Sequence, residues 1–205
     1  MHRKRLLILL FFSCLFWESQ SQGIYASFSA GPAFPSGTFA ASDIDDTGRA
    51  RIGLQGMLSI GHKYSDKFAI GVRAYLILNE AWGFPTIWLS ENDWRSRAFL
   101  ASFRHSRAIG KKLYLEGELN LGLMYTKFAS GYFVVSRVNT GIFPRKGRGI
   151  SYGLNVGLKY FFDKNFAFQL SAQYLGANPM MKFGGTEYRQ QVHLNLLNWG
   201  VIFEL

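Results

Sequence analysis

From Leu113 to Thr126 every odd position is leucine, glycine or tyrosine, while Glu116, Glu118 and Asn120 stand among the even ones. Side chains alternate across a strand, so this stretch forms a strand with one apolar and one polar face. The same alternation predicts eight strands, near 24–34, 50–64, 68–79, 97–109, 113–127, 149–160, 166–176 and 188–205. Most exceed the roughly 9–11 residues that a tilted strand needs to cross a hydrocarbon layer. In the last of them Val192, Leu194 and Leu196 share one parity, and Leu197, Trp199, Val201, Phe203 and Leu205 share the other. That switch predicts a β-bulge near Leu196-Leu197.

The connections alternate as strictly as the residues do. Ser65-Asp66-Lys67, Gly110-Lys111-Lys112 and Phe161 to Asn165 are tight, whereas 35–48, 80–96, 128–148 and 177–187 are long. All tight turns therefore fall at one end of the strands and all long loops at the other, the asymmetry of barrels with short periplasmic turns and long extracellular loops. Pairing about Asp66 sets Ile60 against Val72, Leu58 against Ala74 and Ser59 against Arg73. Pairing about Lys111 sets Phe103 against Leu119, Ala101 against Leu121 and Arg104 against Glu118. Pairing about Asp163 sets Leu158 against Phe168 and Val156 against Leu170. A slip of one residue would exchange the faces of a strand, so agreement in parity implies one two-faced sheet.

One face holds Leu54, Leu58, Ile60, Ile70, Val72, Leu76, Leu119, Leu121, Val156, Leu158, Phe168 and Leu170, with no acid through the middle of any strand. The other holds Arg51, Gln55, Lys63, Arg73, Arg104, Glu116, Glu118, Asn155, Lys159, Gln169 and Gln173. So many polar side chains do not suit the dry interior of a soluble barrel, but they fill a small membrane barrel as a salt-bridged plug. Arg73, Arg104, Glu116 and Glu118 are its expected charge network, past which only a narrow ion leak is conceivable. Tyr64, Phe68, Tyr160, Phe161, Phe162 and Phe166 gather at the tight-turn end, where an aromatic girdle would anchor. His105 and Arg107, on the outward face near a turn, reach headgroups there.

The amino terminus assigns the compartment. His2 to Arg5 is basic, and Leu6 to Trp17 is an apolar run of twelve, too short for a spanning helix of roughly 20 residues. Ser19-Gln20-Ser21 offers small residues for cleavage between Ser21 and Gln22. Residues 1–21 are thus expected to be a signal peptide and 22–205 one barrel domain. Its removal takes Arg3, Lys4, Arg5 and Glu18, so the net charge falls from +10 to +8. For an exported chain the counterpart is anionic lipid or lipopolysaccharide phosphate, and no nucleic acid is expected. The lone Cys14 lies in the leader, which excludes a disulfide-stapled domain.

Gly31-Pro32-Ala33-Phe34-Pro35-Ser36-Gly37-Thr38-Phe39-Ala40, then Thr47-Gly48 and an alternating strand, resembles the opening of bacterial outer membrane beta-barrel, or porin family, proteins. Trp199-Gly200-Val201-Ile202-Phe203-Glu204-Leu205 resembles the closing strand of that family. The resemblance implies outer-membrane residence and recognition by the barrel-insertion machinery during biogenesis. It implies no particular activity.

Candidate chemistry is sparse. Glu116 and Glu118 sit about 7 Å apart on one face, a spacing open to acid–base work, but their expected role is to neutralise Arg104 and Arg73. Outer-membrane lipid A deacylases place His and Ser two apart with Asn following; His105 and Ser106 are adjacent, hence on opposite faces, and no Asn follows. Asp43, Asp45, Asp46 and Gly48 resemble part of a calcium loop, but Leu54 stands where its closing Glu belongs. No catalytic residue, metal site or cofactor is expected. The third loop carries Lys127, Arg137, Arg145, Lys146 and Arg148 around Tyr132 to Val135. The stretch Tyr132–Val138, followed by Asn139-Thr140-Gly141, is expected to form a hairpin above the membrane and to offer these cations to lipopolysaccharide phosphate or an acidic ligand. Trp82, Trp88 and Trp94 of the second loop are candidates to dock on the rim or bind a partner.

The expectation is an all-β, eight-stranded antiparallel transmembrane barrel, monomeric, with a non-enzymatic structural or surface-interaction role. The rival readings are an outer-membrane lipid-modifying enzyme and a soluble, lipocalin-like carrier.

Overall fold

The computed structural model describes residues 23–41, 50–81, 93–128, 131–135, 138–142, 145–183 and 186–205. The cleavage site Ser21-Gln22, Arg137, the acidic loop Asp43–Gly48, Trp82 and Trp88 lie outside these residues. Twelve strands are described: β1 (Gly23–Ser36), β2 (Ala50–Lys63), β3 (Phe68–Ala81), β4 (Asp93–Ala108), β5 (Leu113–Phe128), β6 (Gly131–Val135), β7 (Val138–Ile142), β8 (Arg145–Phe161), β9 (Phe166–Ala177), β10 (Met180–Phe183), β11 (Thr186–Arg189) and β12 (Val192–Glu204).

Among the described residues eight of these strands, β1 to β5, β8, β9 and β12, pair antiparallel in sequence, and β12 closes back on β1. Closure leaves no unpaired strand edge, which a bilayer would penalise. Register partners followed once around, from Tyr25 through Gly61, Gly71, Ser102, Asn120, Gly153, Leu175 and Leu194, return to Pro35. This ten-residue stagger tilts the strands by about 40° and leaves a lumen that side chains fill.

The three tight turns share one geometry. The amides of Tyr64 and Ser65 both donate to Phe68 O (3.0 and 3.3 Å), those of Ile109 and Gly110 to Leu113 O (2.9 and 3.2 Å), and those of Phe162 and Asp163 to Phe166 O (3.2 and 3.3 Å). The first two hairpins adopt the expected registers. The third differs: Leu158 faces Leu170 and Val156 faces Ala172, so the centre is Lys164 rather than Asp163. Phe161 still belongs to the ladder, which moves the turn on by one residue and the register by two, leaving the parity unchanged.

Three further expectations are corrected. The last strand has no bulge near Leu196-Leu197: its register with β9 runs unbroken from Val192↔Ala177 to Phe203↔Phe166. Val192, Leu194 and Leu196 point inward on the same parity as Asn198 and Glu204, because the loop-end half of the lumen is itself apolar. The irregularity lies in β2, between Ala50 and Gly53. There the extra residue turns Arg51, assigned to the lumen by parity, to the outside. Strand β12 also begins later than the alternation suggested. Buried Gln190 leaves the ladder and donates its amide to Pro179 O (3.1 Å), which separates β11 from β12.

At the loop end β10 pairs with β8 and with β11, while β6 and β7 form a hairpin of their own. In that hairpin Val135 faces Val138, and Asn139, Thr140 and Gly141 lie within β7.

Tyr25 shows why glycine is needed inside the wall. Its ring lies against Gly61 and Gly71, where an added Cβ would come within 2.5 Å of Tyr25 Cε1 and 2.3 Å of its hydroxyl. The Arg104 guanidinium covers the ring at 4.3 Å from its centroid. Gly71→Ala is expected to cost about 1–3 kcal/mol through overpacking, measured as a shift of the urea midpoint in lipid vesicles.

Candidate functional site

The lumen has two halves of opposite chemistry. In the turn-end half, Glu118 pairs with Arg73 and with Arg104 Nε at 3.3 Å. Glu116 lies 3.8 Å from Arg104 Nη1 and 2.8 Å from Lys159 Nζ. Lys159 also reaches Glu204 at 2.8 Å, and Glu204 holds Lys63 at 2.6 Å. Neutral donors complete the web: Ser106 Oγ donates to Glu116 (3.0 Å), Gln169 Nε2 to Glu116 (3.1 Å), and Tyr75 OH to Gln173 (2.9 Å). With Tyr25 stacked beneath Arg104, every strand of the barrel contributes.

Four cations thus meet three carboxylates among the described residues. The extra charge belongs to Lys63, whose side chain keeps 24 % of its surface in solvent. Arg73, by contrast, is 1 % exposed; an arginine so buried requires its carboxylate. Glu204 was missed as a network member, because the closing strand was read for its aromatic pattern. Its parity, opposite to Trp199, Val201 and Phe203, was the available signal.

The loop-end half is dominated by an apolar cluster. Ile77, Leu100, Met124, Leu175, Met181 and Leu194 are fully buried and pack with Phe39 and Trp94. Phe39 enters from a single 3-10 turn, Gly37–Phe39. Gly37 takes φ +61°, a conformation that costs glycine little, and so lets the chain fold into the mouth. Phe39 and Trp94 meet edge to face, centroids 5.2 Å apart. Trp94 is therefore part of the plug at the start of β4 and is not available to a partner. Among the described residues, the polar path past Arg73, Arg104, Glu116 and Glu118 ends at this cluster.

The other candidates are quickly placed. Ser106 is buried and bonded to Glu116, while His105 is exposed on the outer face against the Phe68 ring, 5.0 Å between centroids. Of the basic loop set, Lys127, Lys146 and Arg148 are exposed on the outer wall. Arg145 is half-buried and donates to Tyr188 OH at 3.3 Å, so it turns away from them.

No family model matches the chain, and no curated protein matches it in sequence. Solved structures do match in shape. The neisserial surface protein A is 13 % identical over 90 % of this chain and 99 % of its own, with a TM-score of 0.62. A major outer membrane protein from Thermus thermophilus is 12 % identical over 91 % and 100 %, with a TM-score of 0.49. The N-terminal β-barrel domain of Pseudomonas aeruginosa OprF is 13 % identical over 91 % and 98 %, with a TM-score of 0.46. The chain has the fold of the small eight-stranded outer-membrane barrels. At these identities the likeness extends to the fold and not to an activity.

Proposed function

We propose that the protein is an integral outer-membrane barrel that does not conduct and acts, without catalysis, through its structure and its loop-end surface. The observation that carries this reading is the inverted distribution of side chains. Leu54, Leu58, Leu121, Ile150 and Val156 are each at least 60 % exposed, while Arg73, Arg104, Glu116 and Glu118 are buried. A water-soluble barrel would reverse that arrangement, and bilayer hydrocarbon accounts for it. In this reading the tight turns, the start of β1 and the end of β12 face the periplasm.

The rivals fit less well. A lipocalin-like carrier needs an internal cavity, and the fully buried apolar cluster fills that place. A lipid-modifying enzyme needs a nucleophile beside a base, and His105 and Ser106 are on opposite sides of the wall.

The protein extracted from washed outer membranes is expected to run faster on gels unboiled than boiled, and to be absent from the soluble fraction. Reconstituted in planar bilayers, it is expected to add no unitary conductance above the lipid background. Recovery from the soluble periplasm would refute the membrane reading, and steady single-channel steps would refute the closed lumen.

A further inference from the structure

Cations gather on one side of the outer wall in a way the sequence order conceals. Arg95 faces Lys127 across β4 and β5, Lys127 faces Lys146 across β5 and β8, and Lys146 faces Lys182 across β8 and β10. Two residues further from the loops, Arg97 faces Tyr125, which faces Arg148. All these side chains point outward and are exposed. Like charges directly opposite one another destabilise a sheet, so such a row needs anions.

Among the described side chains, acids meet only the ends of the row. Glu187 holds Lys182 at 2.6 Å, and Glu80 lies diagonal to Arg95 on β3. The central four, Arg97, Lys127, Lys146 and Arg148, face no acid among the described residues. Neighbouring strands lie about 4.8 Å apart, so these four span roughly 10 Å by 7 Å. Directly below them Phe99, Leu123 and Ile150 form an exposed apolar row in the same register. The opposite wall differs: the outward positions at the loop end of β1, β9 and β12 are Phe34, Ser36, Tyr174, Gly176, His193 and Asn195, with no lysine or arginine.

We propose that Arg97, Lys127, Lys146 and Arg148 form a one-sided site for the phosphate groups of a lipid headgroup, specifically a phosphorylated glycolipid of the outer leaflet such as lipopolysaccharide. The inference rests on the membrane reading above. The apolar row selects a lipid over a soluble anion, because a ligand held by the four cations would lay its acyl chains over Phe99, Leu123 and Ile150. The width across strands allows two phosphates to be held at once, each between a pair of cations. Tyr125, at the centre, supplies the amphipathic ring favoured at headgroup level.

The test uses the full mature chain refolded into phosphatidylcholine vesicles, probed with diphosphorylated lipid A, its dephosphorylated form and inorganic phosphate. Wild-type protein is expected to retain the diphosphorylated form better than the dephosphorylated one by at least the order of tenfold. The Arg97→Gln/Lys127→Gln/Lys146→Gln/Arg148→Gln variant is expected to lose that preference. A control with the same loss of charge, Lys67→Gln/Lys111→Gln/Lys112→Gln/Lys164→Gln at the tight turns, is expected to keep it. Equal retention by the rim variant, or equal loss in the control, overturns the site. Competition by millimolar inorganic phosphate overturns the lipid as its source. Failure of the wild type to enter vesicles would overturn the membrane reading itself, whereas a heat-modifiable barrel lacking the preference would overturn only the site.

Discussion

Glu118→Gln is expected to destabilise the barrel by about 3–5 kcal/mol, because it leaves Arg73 and Arg104 buried without their shared carboxylate. The substitution preserves volume and leaves the wall intact, so the loss is electrostatic. Arg73 is buried in the lumen, with Tyr75 OH as its neutral neighbour at 3.2 Å. The Lys182–Glu187 pair is a built-in comparison, with side chains 69 % and 51 % exposed. Removing Glu187 is expected to cost less than about 1 kcal/mol, since an exposed pair is screened and solvated. Urea unfolding from lipid vesicles measures both. The double variant Arg73→Met/Glu118→Leu is expected to recover part of the loss, because removing both charges removes the unpaired one. Costs of similar size at Glu118 and Glu187 would mean that the lumen is hydrated throughout.

Leu121→Arg is expected to cost about 2–4 kcal/mol, the penalty for a cation on the lipid face near the bilayer midplane. Leu121 is 62 % exposed and sits mid-strand in β5, between Ala101 and Tyr152. On a water-soluble protein an exposed substitution of this kind usually stays within about 0.5 kcal/mol. The sign and size of the effect therefore report the solvent around the barrel. Asn120→Gln, one residue away and facing the lumen, is expected to cost less. Equal tolerance at 120 and 121 in the same vesicles would argue for a barrel in water.

Alternation alone set out the wall. The eight strands, their faces and the two-ended pattern of turns and loops follow from a period of two and from the punctuation between runs, because both are local properties of the chain. Hairpin partners such as Arg104 and Glu118 were equally legible, since a tight turn leaves little choice of register. Where the turn lies one residue later than the alternation placed it, at 162–165 with Phe161 still in the ladder, the same reasoning missed the register by two.

What the sequence determined by itself, then, is a two-faced sheet of eight strands with its charges on one side. The direction of curl, the contents of the lumen and the grouping of cations were decided only by closure. Val192, Leu194 and Leu196 read as a change of face because a local pattern cannot distinguish lipid from an apolar stretch of lumen; only the closed barrel separates them. Glu204 meets Lys159 across 45 residues and Lys63 across 141. Arg97, Lys127 and Arg148 come from three strands and share a surface only because β4, β5 and β8 lie side by side. Long-range pairs of this kind depend on the stagger of the whole barrel, a global quantity that no single segment of the chain encodes.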